Sequence, residues 1–153
     1  MFDLGRQGEA KWRAVNAQLK LYYDYDAATK KLTRVPHPGA PYYPAMTLRT
    51  TASDMTRLLV ELAAPSRVLD KPSADRMLSP LFPSVAKGQG LAWFEESPGV
   101  YGHDGSYAGH ASNVSLRPSD GVGVAVLLNG GADDGGEPLM TLDRAAWKLA
   151  DSM

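Results

Sequence analysis

A chain of 153 residues, 44% of them hydrophobic, is long enough for one domain around one core, and a domain of this size buries roughly 70% of its unfolded surface. Its formal net charge of −1, with both signs spread along the chain, offers no field for nucleic acid or an anionic membrane surface, so neither partner is expected. The absence of cysteine excludes disulfides, thiolate metal ligands and a cysteine nucleophile.

Residues 1–50 read as an irregular segment rich in proline and tyrosine. The stretch Met1-Phe2-Asp3-Leu4-Gly5-Arg6 lacks the apolar run of a signal peptide, and nothing downstream approaches the roughly 18 apolar residues of a membrane span, so a soluble chain with no compartment address is expected. Residues 19–26 alternate as a strand does, and residues 29–33 are placed to return as its hairpin partner. Pro36, Pro38, Pro41 and Pro44 then deny regular structure, because proline removes a donor and fixes φ.

Residues 51–80 read as helical. Thr51 and Asp54 are spaced as a capping box, and Met55, Leu58, Leu59 and Leu62 recur at the spacing of an amphipathic face, which predicts a helix from about Ser53 to Ala64. Asp70 as cap, Pro72 in the first turn and inward Met77 and Leu78 predict a second, shorter helix.

From residue 88 to residue 130 the period becomes that of strands. Residues 90–94 and 100–103 are short runs separated by Glu95-Glu96-Ser97-Pro98-Gly99, a turn composition. Residues 112–117 alternate, Pro118-Ser119-Asp120-Gly121 is a hairpin turn, and the apolar run 122–128 predicts a strand buried on both faces. Glu137-Pro138 then opens a closing helix over 137–152, in which Leu139, Leu142, Ala146 and Leu149 share one face and Trp147 sits at its margin. With no internal repeat, this order predicts a single α+β domain over 1–153, an antiparallel meander of three to four strands covered by helices.

The densest motif is Tyr101-Gly102-His103-Asp104-Gly105-Ser106-Tyr107-Ala108-Gly109-His110, a glycine-flanked histidine on a strand. It resembles the third active-site motif of the penicillin-binding protein and serine β-lactamase superfamily, in the H-x-G form that replaces K-T-G in esterase-like and peptidase-like members. Pro44-Ala45-Met46-Thr47-Leu48-Arg49-Thr50-Thr51-Ala52-Ser53-Asp54-Met55 resembles the family's P-A-G-G-L-x-S-T-A-x-D-L entry to a helix, with Met46 and Thr47 in place of two glycines. Gly109, Pro118 and the run from Gly123 to Asn129 follow in family order. The resemblance covers residue 19 onward and implies the C-terminal part of a β-lactamase-like fold, a partial domain of a serine hydrolase that cleaves an ester, amide or peptide through an acyl-enzyme.

In such enzymes the strand with this motif borders the site. The resemblance implies that His103 orients substrate and holds the proton network, that Gly105 lets substrate backbone approach, and that the backbone N–H of Ser106 forms half of an oxyanion hole. Asp104, Tyr107 and His110 are placed to touch substrate. The family's nucleophile motif S-x-x-K and its Y-x-N motif belong upstream, and the chain is expected to begin after them. One S-x-x-K string occurs, Ser84-Val85-Ala86-Lys87, but it lies between Pro83 and Gly88 in turn composition and reads as chance.

His37, His103 and His110 show no metal-ligand spacing, and Gly131-Ala132-Asp133-Asp134-Gly135-Gly136 lacks the alternating ligands of a calcium loop, so no metal or other cofactor is expected. Trp12, Trp93 and Trp147 read as packing anchors. Two functions remain open: part of a serine hydrolase, inactive alone and completed by an N-terminal half, or a non-catalytic binding or assembly module on the same scaffold. Either reading leaves a sheet short of a neighbour, so a homo-oligomer or a complementing chain is the expected partner.

Overall fold

The computed structural model describes residues 10, 13–14, 17, 20–36, 48–64, 67–130 and 137–153. His37, Pro38, Pro41, Pro44, Met46, Thr47, Trp12, Leu19 and residues 131–136 lie outside them.

The hairpin expected from residues 19–26 and 29–33 forms, with β1 (Tyr22–Asp26) antiparallel to β2 (Lys31–Val35) in the register Tyr22↔Val35. Its turn is built by Asp26, whose carboxylate accepts the backbone N–H groups of Ala28 and Thr29 at 2.9 and 3.0 Å. The Thr29 bonds hold that carboxyl below its usual range.

Helix α1 (Ala52–Ala63) starts where the capping pair requires. The Thr51 side chain accepts the Asp54 N–H at 3.1 Å and donates its hydroxyl to the Asp54 carboxylate at 3.0 Å. Helix α2 (Lys71–Leu78) repeats the device: the Asp70 carboxylate accepts the Ser73 N–H at 2.9 Å, and Pro72 stands in the first turn. Leu59 and Leu62 of α1, Leu78 of α2, Trp93 and Leu116 form the buried core. Burial of each such side chain contributes about 1.5–3 kcal/mol.

The main sheet has the order β3-β4-β5-β6, formed by β3 (Phe94–Ser97), β4 (Val100–Tyr107), β5 (His110–Arg117) and β6 (Val122–Leu128), all antiparallel. Residues opposite one another share a face. Tyr101 with Leu116, His103 with Val114 and Gly105 with Ser112 therefore face α1 and the core, while Gly102 with Ser115, Asp104 with Asn113 and Ser106 with Ala111 face the closing helix α3 (Glu137–Ala150). The result is a four-stranded meander between helices, the expected α+β arrangement, with the two-stranded hairpin beside it.

Three sequence expectations change. Residues 90–93 are not a strand: Ala92 takes a φ of +59°, and pairing begins at Phe94. The supposed turn Glu95-Glu96-Ser97-Pro98-Gly99 is mostly strand, because Gly99 at φ +77° completes a turn with Pro98 alone. β6 is half-buried rather than sealed on both faces, with Val124 buried and Leu127 exposed, since it stands at the sheet edge.

A fourth change concerns α3. It buries Leu139 and Asp143, whereas Leu142 and Leu149 are 48% and 64% exposed. The helix is turned by polar partners on β5. Asn113 Nδ2 donates to Asp143 at 3.2 Å, Trp147 Nε1 donates to Ser115 Oγ at 3.0 Å, and Arg117 Nη2 donates to Asp151 at 2.8 Å. Steps of two along the strand and four along the helix have nearly equal rise, so the three contacts keep register.

Candidate active-site strand

β4 carries the histidine motif, and the pleat sorts its residues. His103, Gly105 and Tyr107 stand on the face toward α1, and Asp104 and Ser106 stand on the other. Asp104 thus points away from His103. His103 is exposed, and its Nδ1–H donates to the carbonyl of Asp104 at 2.5 Å. In the neutral ring that bond leaves Nε2 as the free acceptor. The Phe94 ring lies 5.7 Å from the imidazole and forms an apolar wall beside it.

β3 pairs with β4 only as far as Gly102. Beyond that point, on the side away from β5, no strand among the described residues covers β4. An open strand edge next to a histidine is suited to receive an extended substrate backbone. Gly105 keeps that strand lean, because a Cβ there would lie 3.2 Å from Ser112 Oγ.

The far end of the strand is held by the N-terminal hairpin. Gly109, at φ +75°, donates its N–H to the Asp24 carboxylate at 2.6 Å, and its bare Cα accommodates Tyr22 and Val35. His110 lies against Tyr22 with ring centroids 4.8 Å apart, and Tyr107 is 6.2 Å from His110. Tyr107 and His110 therefore form a second group, four residues or roughly 13 Å along the strand from His103.

Ser84 and Lys87 are both exposed in a chain of turns, where Val85 and Ala86 donate their N–H groups to the Phe82 carbonyl at 2.9 and 2.7 Å. The string has no helical turn to bring lysine over serine. Among the described residues no three histidine, aspartate or glutamate side chains converge as a metal site, and no helix is long and apolar enough to cross a membrane.

Sequence reasoning missed a polar group behind the strand. Gly102 has no side chain, and the Glu96 carboxyl occupies the space a Cβ would need. Burial pushes that carboxyl up, opposed by a hydrogen bond from Asn113 and assisted by the charges of Asp143 and Asp104, while His103 pulls it down. Burial also raises the Asp143 carboxyl, against the Asn113 bond. The signal was present in β5, where Asn113 and Ser115 are polar at alternate positions of a strand whose other residues pack. A groove of about 540 Å³ opens beside this group, lined by Glu96, Arg117, Met140, Asp143, Trp147 and Asp151 among others.

Comparison with protein families finds one described as "Beta-lactamase", whose model matches residues 7–146. No curated protein and no solved structure matches the chain.

Proposed function

The chain belongs to the beta-lactamase family, and from that premise we propose that it is the part of a serine hydrolase that carries the H-x-G strand, acting on an ester, amide or peptide by way of an acyl-enzyme. The observation that carries this reading is the exposed His103, with its Nδ1–H engaged and Nε2 available, on a β4 edge that no strand among the described residues covers beyond Gly102. In this reading His103 positions substrate and holds a proton, Gly105 admits the substrate backbone, and the Ser106 N–H is one oxyanion donor. Tyr107 borders the substrate, and Asp104, on the opposite face, acts on substrate only through the position of its carbonyl and strand. The nucleophile and the second oxyanion donor come from a segment these 153 residues do not contain, supplied in the same assembly by a complementing chain or by upstream sequence.

The test is reconstitution. Loss of one oxyanion donor alone costs about 3–4 kcal/mol of transition-state stabilisation, so the isolated chain is expected to leave an activated ester and a fluorescent β-lactam at background. Addition of the N-terminal half of a related hydrolase is expected to restore covalent acylation seen by mass, and His103→Ala to slow it by about 10²-fold. Turnover by the isolated chain that vanishes in Ser84→Ala would instead make Ser84 the nucleophile. Failure of every such complement to acylate would favour a non-catalytic binding or assembly module.

A further inference from the structure

Asn113 sits in the middle of β5 with 1% of its surface exposed. Its Nδ2 donates to Asp143 Oδ1 at 3.2 Å, yet its Oδ1 is buried without a partner. The carboxyl of Glu96, an exposed residue of β3, fills the space beside Gly102 on the same face of the sheet. Asp143 is itself only 6% exposed. The buried pair is therefore short of a donor: the Asp143 carboxylate and the amide oxygen have one NH₂ between them, and the Glu96 carboxyl adds a second negative charge nearby. Native folds rarely leave a buried acceptor unmatched, and two neighbouring carboxylates repel each other. One proton resolves both faults, because a carboxylic acid pairs reciprocally with a primary amide, its O–H donating to the amide oxygen while its carbonyl accepts the N–H.

We propose that Glu96, Asn113 and Asp143 form a proton latch that fastens α3 to the sheet, closed when one of the two carboxyls is protonated and loosened when both are ionised. The latch spans three elements: Glu96 lies on β3, Asn113 on β5 and Asp143 on α3. The charged groups around it are Glu95 on β3, His103 and Asp104 on β4, Arg117 on β5, and Arg144, Lys148 and Asp151 on α3. Among the described residues the ion pairs commit Arg117 to Asp120 and Asp151, and Arg144 to Glu137. Neither guanidinium neutralises the latch.

Both carboxyls are raised in the fold, chiefly by burial. A raised folded value means that the stabilisation is fully present below the unfolded carboxylate range and is lost as pH climbs through the folded value. The exposed caps Asp26 and Asp70 are lowered and have the opposite slope, confined to more acidic solutions. Those caps are common to wild type and to a latch variant, so the ratio of their stabilities from pH 4 to pH 8 reports the latch.

Urea unfolding of the full chain across that window, wild type beside Asp143→Asn, is the test. The introduced amide pairs with Asn113 without a proton, while every other ionisable group is common to both proteins and cancels in the ratio. The unfolding equilibrium constant of wild type relative to the variant is expected to rise with pH, by about tenfold for each pK unit by which the fold raises the carboxyl, with the variant at least as stable at pH 8 and Glu96→Gln shifting the same way. A ratio independent of pH, or a variant less stable at every pH, overturns the proposal. Should Asp143→Asn not fold, carbon-13 titration of the wild-type carboxyls decides: an upshifted Asp143 or Glu96 sustains the latch, and ordinary carboxylate titration of both refutes it.

Discussion

Ala92 and Gly109 both hold positive φ, at +59° and +75°, and they test opposite sides of one rule. A side chain in the left-handed region costs about 1–2 kcal/mol, and at Ala92 the fold carries that cost to swing Trp93 into the core and start β3. Ala92→Gly removes the strain but adds about 0.4–1 kcal/mol of unfolded-state freedom, so a net gain of about 0.5–1 kcal/mol is expected by denaturant unfolding. A loss would show that the Ala92 methyl packs. At Gly109 the strain and the packing act together, since a Cβ would run into Val35 and Tyr22. Gly109→Ala is expected to lose at least about 2 kcal/mol and to separate the Tyr22 and His110 rings, which aromatic NOEs between them would report.

Among the elements, those that carry their own punctuation were legible in the sequence. Thr51 with Asp54 and Asp70 with Pro72 mark both helix starts through chemistry local to the chain, and Thr51→Ala is expected to cost about 1 kcal/mol in thermal unfolding. The hairpin turn at Asp26 and the β5–β6 turn are local in the same way. What failed was decided across space. The apolar spacing of α3 selects Leu142 and Leu149, but Asn113, Ser115 and Arg117, more than twenty residues earlier, turn Asp143, Trp147 and Asp151 inward. For the candidate site, the sequence marked the run from His103 to Tyr107 but not its division by the pleat, which puts Asp104 and Ser106 on the face opposite His103, Gly105 and Tyr107, and Glu96 was hidden because its place depends on the missing side chain of Gly102. The orientation of α3 is checked by paired variants: Leu149→Glu is expected within about 0.5 kcal/mol of wild type, and Leu139→Ala to cost about 2–4 kcal/mol.

At the scale of the whole molecule the open question is the edge of β6. β5 pairs with it on one side from Val122 to Leu128. On the other, the described residues offer only the chain entering β1, where the Tyr23 N–H reaches the Asn129 carbonyl at 3.3 Å and Asn129 Nδ2 donates to the Leu21 carbonyl at 3.2 Å, both past the end of the strand. The run Val122-Gly123-Val124-Ala125-Val126-Leu127-Leu128 holds no charge and no proline, the two devices by which exposed edges are usually blunted. Exposed Met140, Leu142 and Leu149 on α3 add apolar surface. A strand of this kind pairs with whatever edge is offered, and in a solution of this chain alone the available edge is a second copy. A homodimer joined at β6 is therefore the expected state. Val124 is a poor probe of it, being 6% exposed, because a lysine there would break the core before it reached the interface. Leu127, 37% exposed, is the better position. Sedimentation velocity at micromolar concentration is expected to show a dimer for wild type and a shift to folded monomer for Leu127→Lys. A wild-type chain that sediments as a well-folded monomer would mean that this edge is covered from within, by residues of the same protomer.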